Sequence, residues 1–178
     1  MIEFVLKNRR LRLHPDGVMY VRAISYLGEE TMSGRIWKEV KFSKGVQGYF
    51  HCNITLNRVQ RVLTQHRLVY YAHHQDWDIF DGSRDNLIDH INRKRDDNRI
   101  ENLHVVNQQQ NGFNTDAKGY YWNKRDKKWT AQIKLNNKKH FLGSFENEED
   151  AHNAYLEGKA KYHVIAALPI PGHAAPMD

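Results

Sequence analysis

The sequence predicts an α+β fold in three parts: a β-rich amino-terminal region over residues 1–65, a central segment over 66–117, and a three-stranded antiparallel sheet packed on one helix over 118–163. Three observations predict it. Turn-forming residues break the first part into short runs of strand-forming side chains. Trp129, Ala131, Ile133 and Leu135 alternate with Thr130, Gln132, Lys134 and Asn136, the period of a strand with one apolar face. Ala151, Ala154, Tyr155 and Tyr162 instead share one helical stripe behind Asn147, a residue suited to cap it.

In the amino-terminal region, Gly17–Val21, Trp37–Phe42 and Tyr49–Ile54 read as strands, with turns at Pro15–Gly17, Gly28–Glu30, Ser33–Gly34 and Lys44–Gly45. Hairpins rich in Arg and Lys suit the groove of a polyanion. The run Asn57–Leu63 reads as the start of the helix that carries His66, and His66 as a core-edge residue of that helix.

The central segment is the most informative. Asp89 to Asn111 reads D-H-I-N-R-K-R-D-D-N-R-I-E-N-L-H-V-V-N-Q-Q-Q-N. Hydrolysis of a phosphodiester at neutral pH needs a base with a pKa near the working pH, and histidine offers one unperturbed. It also needs a hard divalent cation on oxygen ligands, with positions left open for phosphate and water. Asp89 supplies an anionic oxygen, Asn111 a neutral one, and His90 the imidazole. Asp89 and His90 are neighbours in a predicted strand, Asn86–His90, so their side chains leave on opposite faces unless the strand ends there. His104 lies two residues after Asn102 and faces either the cleft or away from it; His51, His73 and His74 have no acidic or asparagine partner at useful spacing.

From Lys118 the texture changes. Arg125–Lys128 and Asn136–Lys138 are turn-like connectors on either side of the alternating strand. Glu148, Glu149 and Asp150 put negative charge on the first turn of the following helix, where the helix dipole favours it. Gly158 inside that helix costs about 1 kcal/mol relative to alanine, so the helix depends on packing against the sheet.

Charge follows the same division. The chain of 178 residues carries a net charge of +6. Residues 1–65 hold eleven Lys/Arg against five Asp/Glu, residues 66–117 six against nine, and residues 118–163 ten against six. Two basic modules thus flank an acidic centre, as expected where cations grip phosphates and carboxylates bind a metal. Between Lys118 and Lys139 there are eight Lys/Arg and one acidic residue, a bias that a solvated face of mixed charge would not show. Cys52 is the only cysteine, so no disulfide or four-cysteine zinc site forms within the chain, and no structural zinc is expected. The first ten residues break into charge too early for a signal peptide, and no apolar run approaches membrane-spanning length. The chain therefore reads as a cytoplasmic protein with no membrane partner. Residues 164–178 hold three of the four prolines and read as a flexible tail.

The central segment resembles the ββα-metal core of HNH endonucleases, particularly the phage and intron homing enzymes. The match is D-H at Asp89 and His90, N-L-x-x-V beginning thirteen residues after the aspartate, and a ligand residue nine further on. Upstream, His66–Ala72 resembles the H-R-L-V helix that precedes this core, and Gly48–Tyr49 with Asn53–Leu56 its preceding strand. The resemblance implies Asp89 as metal ligand, His90 as general base, Asn102 as the loop-bracing residue that orients the histidine, and Asn111 as second metal ligand. Many members have histidine at the last position. The cofactor implied is one divalent ion, Mg²⁺ or Mn²⁺.

The carboxy-terminal part resembles the APETALA-type DNA-binding domain. The matching residues are Gly119, Trp129–Ile133, Leu142–Phe145, Glu149–Ala151 and Ala154–Tyr155. In that family the sheet enters the major groove. Carried over by position, the expected DNA contacts are Lys118, Tyr121, Asn123, Gln132, Lys134, Lys139 and Phe141. The partner implied is double-stranded DNA and the activity a site-preferring endonuclease. One core cuts one strand, so a monomer nicks, and double-strand cleavage takes a weak dimer or two events. The rivals are a sequence-specific DNA-binding regulator with an inactive, structural core, and a restriction or packaging nuclease with the same chemistry.

Overall fold

The computed structural model describes residues 1–23 and 37–163. Expectations for the turns at Gly28–Glu30 and Ser33–Gly34 and for the tail fall outside them. The architecture is mixed α+β. The chain divides into two compact units, one over Met1–Val105 and one that begins at Val106.

The first unit opens with a hairpin that the turn signals do not mark. Strands β1 (Ile2–Leu6) and β2 (Arg9–Leu13) pair antiparallel, Leu6 opposite Arg9, across a two-residue Lys7–Asn8 turn. Lys7 takes φ 55° there. Phe4, Leu6, Leu11 and Leu13 alternate inward to the core, while Glu3 and Arg12 form an ion pair of 2.9 Å on the other face. β3 (Met19–Arg22) and β4 (Trp37–Glu39) extend the sheet in the order β1-β2-β3-β4. The Pro15–Gly17 turn closes with Gly17 N–H donating to His14 O at 3.0 Å.

A second sheet has the order β5 (Ser43–Lys44), β6 (Phe50–Leu56), β7 (Val59–Thr64). Here the expected helical start over Asn57–Leu63 is corrected. Asn57 and Arg58 both have positive φ, 49° and 65°, the geometry of a two-residue hairpin turn, and the chain returns as strand β7. The Asn57 amide is further fixed by the Asn8 side chain at 2.7 Å. Helix α1 (Gln65–His73) begins only after Thr64 and buries His66, Leu68, Val69, Tyr70 and Ala72.

The loop from His74 to Asn86 is held by Arg67 of α1. Its guanidinium donates to the carbonyls of Ile79, Asp81 and Asn86 at 2.7–3.2 Å and lies 4.6 Å from the centre of the Trp77 ring. The Trp77 indole donates to the Asn86 side chain, which in turn donates to Asp78 O at 2.8 Å. This clamp delivers the chain into β8 (Leu87–His90), which pairs with β9 (Leu103–Val106) in a two-stranded ribbon.

The second unit starts with the short helix α2 (Gln108–Phe113), capped reciprocally by Asn107 and Gln110. β10 (Tyr120–Asn123), β11 (Lys128–Leu135) and β12 (Lys138–Phe145) form an antiparallel sheet in sequence order. Helix α3 (Glu148–Tyr162) lies across one face. The Asn147 side chain accepts from Asp150 N at 2.8 Å, so the cap sits where its residue type puts it. Ala131, Ile133, Ala151 and Tyr155 are buried between sheet and helix. Gly119 has φ 71°, and a Cβ on it would lie 2.0 Å from the Tyr155 ring, so only glycine fits there.

Candidate functional site

β8 ends at His90, and its burial alternates: Ile88 and His90 are buried, Leu87 and Asp89 half-buried. Asp89 and His90 therefore leave the ribbon on opposite faces although they stand together at its end. On Asp89's face the partner is His104 of β9, whose Nε2 lies 3.1 Å from Asp89 Oδ2. The alternative left open for His104 resolves toward the aspartate.

The loop from Ile91 to Arg99 is closed by Asn102. Its Nδ2 donates to Asp97 O at 2.7 Å and to Asn92 Oδ1 at 3.0 Å, while its Oδ1 accepts from Asn92 N at 2.9 Å. Ile91 N donates to Asn102 O at 2.9 Å, joining the strand ends across the loop. Within the loop, the Arg99 guanidinium, helped by Asn92, holds the Asp97 carboxyl well below the usual carboxylate range. Arg95 reaches back to Gln47 O at 2.7 Å and Lys44 to Asp96 at 3.1 Å, so the loop is also pinned to the second sheet.

Asn102 thus ties the loop together, and the side chain that the resemblance implies it would orient is held by a different residue. His90 Nε2 lies 2.9 Å from Asn98 Oδ1. Asn98 Nδ2 donates to Gln65 Oε1, 3.0 Å away at the start of α1. His90 is 2% exposed, and the rings of His66 and Tyr49 pack on it at 5.2 and 5.9 Å between centroids.

His66 is buried beside His90. It is 8% exposed, edge-on to His90, with Nε2 3.3 Å from Thr64 Oγ1 and a buried Nδ1 that no described residue meets. Burial first, then the neighbouring His90 and Arg67, push its pKa down to about 3. Asn98, Gln65 and His66 carry no motif signal of their own, since their roles come from contacts between distant segments. The one available clue was the H-R-L-V resemblance around His66.

Asn111 lies on α2 in the second unit, exposed, its backbone N donating to Asn107 O at 2.9 Å. In that unit the register sorts the expected DNA contacts by face. Tyr121 stands opposite Thr130, Gln132 opposite Phe141, and Lys134 opposite Lys139. All of these alternate with Tyr120, Ala131 and Ile133, which face α3. Tyr121, Gln132, Lys134, Lys139 and Phe141 consequently share the open face of the sheet, with Phe141 69% exposed.

The other two expected contacts have partners of their own. Lys118 precedes β10 and pairs with Glu148 at 3.8 Å, at the amino-terminal turn of α3. The Asn123 side chain is spent on the β10–β11 turn: it donates to Asp126 Oδ2 at 2.8 Å and accepts from Arg125 N at 3.1 Å.

Comparison of the chain with protein-family models, with curated proteins and with solved structures finds no match in any of the three. Among the described residues, no group of three His, Cys, Asp or Glu side chains is arranged to hold a metal ion, and no helix is long and apolar enough to cross a membrane.

Proposed function

We propose that this chain is a metal-dependent endonuclease of the HNH homing type that nicks double-stranded DNA. The observation that carries the reading is the strand end at Asp89 and His90, followed by a loop that the Asn102 side chain ties shut. A carboxylate and an imidazole are the two groups that phosphodiester hydrolysis requires, and here they stand at consecutive positions of one strand end, on opposite faces of the ribbon.

In this reading Asp89 holds the divalent ion through a carboxylate oxygen, a hard donor suited to Mg²⁺ or Mn²⁺; the second ligand that the HNH resemblance implies is Asn111. The ion, when bound, neutralises charge on the scissile phosphate and on the departing 3′ oxygen. His90 takes a proton from water. The resulting hydroxide attacks phosphorus, the bond to the 3′ oxygen breaks, the departing 3′ oxygen takes a proton from solvent water, and the products are a 3′ hydroxyl and a 5′ phosphate. His104 holds the Asp89 carboxylate oriented through its Nε2. The open face of the carboxy-terminal sheet grips the duplex. Its support is the Lys134–Lys139 pair, like charges directly opposite each other, which cost stability in water and are relieved by phosphate.

One observation favours a second reading. His90 is 2% exposed, as a structural histidine would be, which fits a DNA-binding regulator whose core no longer cuts. Supercoiled plasmid incubated with the protein and Mg²⁺ or Mn²⁺ separates the two. Conversion to nicked circles with 3′ hydroxyl ends, abolished by chelation and by His90→Ala, is expected of the nuclease. Duplex binding without cleavage in either metal would establish the regulator instead.

A further inference from the structure

We propose that Asn98, itself held by Gln65, is the positioning residue of His90, fixing the imidazole as the tautomer with hydrogen on Nε2 and the lone pair on Nδ1. The inference rests on the nuclease reading only for its kinetic consequence.

Asn98 uses its Nδ2 to donate to Gln65 Oε1 at 3.0 Å, so the amide atom turned to His90 is the oxygen, 2.9 Å from Nε2. An amide oxygen only accepts. The Nε2 must therefore be the N–H of the ring, and a neutral imidazole has just one. Gln65, Asn98 and His90 come from three separate segments: the first residue of α1, the loop after β8, and the last residue of β8. Residues 33 apart in sequence thus converge on one ring nitrogen. The rings of His66, nearly perpendicular at 5.2 Å, and Tyr49, tilted at 5.9 Å, add packing to the bond. This is the logic of a base oriented by a third group, with a neutral amide in the orienting place. Asn102 braces the backbone of the loop, and Asn98 transmits that order to the ring.

The test is made on the full chain with ¹⁵N-labelled histidine. The wild-type His90 spectrum should show a protonated Nε2 and a pyridine-like Nδ1. In Asn98→Leu, which removes the acceptor, the two tautomers should mix. Turnover on plasmid should then fall about 10–100-fold, the scale for losing a group that orients a functional histidine, while the KM for duplex stays within twofold. Asn98→Asp restores an acceptor oxygen and should restore the Nε2–H spectrum. Gln65→Met leaves Asn98 in place but frees its amide to turn over; it should shift the tautomer ratio in the same direction, and serves if Asn98→Leu does not fold. A wild-type spectrum with hydrogen on Nδ1, or an unchanged spectrum in both Asn98→Leu and Gln65→Met, overturns the proposal. A wild-type chain that cuts no DNA refutes the nuclease reading, and the tautomer assignment then stands or falls on the spectrum alone.

Discussion

Acid should weaken the first unit through His66, and the size of the effect follows from its burial. The His66 ring faces His90 from β8, Tyr49 from the segment before β6, Thr64 at the end of β7, and Arg67 on its own helix. No carboxylate is among these neighbours to favour the charged ring. In the unfolded chain the imidazole takes up a proton through the ordinary value of 6.5, whereas in the folded protein it does so only near pH 3. Between those limits the unfolded state binds the extra proton, so stability rises with pH. The contribution is fully present above about pH 6.5 and is lost progressively as pH falls through the window to 3. Each pH unit inside the window is worth about 1.4 kcal/mol, so going from pH 7 to pH 5 should cost about 2 kcal/mol.

Urea titration followed by the NMR signals of α1 and β6 measures this in the unit concerned. His66→Phe removes the titrating group while keeping a ring, so its loss between pH 7 and pH 5 should be smaller than that of the wild type by about 2 kcal/mol. Equal losses in the two proteins would show that the buried ring is not the group responsible. The comparison of differences also cancels other histidines that titrate in the same range, such as His73, whose pKa burial lowers too.

The remaining predictions follow from the same geometry. His90→Ala should slow cleavage by about 10²–10⁴ with duplex affinity nearly intact, and normal cleavage would remove it from the proposed chemistry. Asp89→Ala removes the only charged ligand of the proposed metal site, so Mn²⁺ binding by calorimetry should be lost, while Asn111→His should keep it; unchanged binding in Asp89→Ala sinks the ligand assignment. Gly119→Ala drives a methyl into the Tyr155 ring at a residue with φ 71° and should destabilise the second unit by about 3 kcal/mol in thermal or urea unfolding; a loss below about 1 kcal/mol would mean that the ring moves aside.

What was legible in the sequence was local. The alternation of β11, the Asn147 cap and the turn at Pro15–Gly17 each depend on side chains acting on their own backbone, and each is found where its residues stand. The β1–β2 hairpin is hard to read because its Lys7–Asn8 turn lacks glycine or proline and its outward positions Glu3, Arg10 and Arg12 are charged. Asn57–Leu63 misread as helix for a related reason: β7 is an edge strand whose Val59 and Val62 are exposed, so its apolar residues do not keep a period of two. At the site, Asp89, His90 and Asn102 enter through the HNH resemblance, and His66 only as part of its H-R-L-V helix. The Asn98–Gln65 contact enters through neither, because a contact across 33 residues leaves no trace in local pattern.

The carboxy-terminal sheet joins the two levels, and a single bulge does it. Ala131 pairs with Gly143 but Gln132 pairs with Phe141, so Leu142 is the extra residue of β12. A regular ladder would have continued Ala131–Gly143 into Gln132–Leu142, turning Leu142 to the open face and Phe141 to the helix. The bulge reverses this: Leu142 lies against α3, where a Cβ on Gly158 would come within 2.7 Å of it, and Phe141 stands exposed. Gly158 thus trades helix propensity for close approach to that leucine. The outcome on the far side is an exposed aromatic ring beside two lysines placed opposite each other. In water alone that face loses on both counts, with an apolar ring left solvated and two ammonium groups opposed. The double change Lys134→Ala with Lys139→Ala should therefore raise the stability of the free protein by about 0.2–1 kcal/mol. It should also reduce the salt slope of duplex binding by roughly 2. Stability unchanged and slope unchanged would together mean a face that only solvates itself; a smaller slope with greater stability is what a surface built for a phosphate backbone must show.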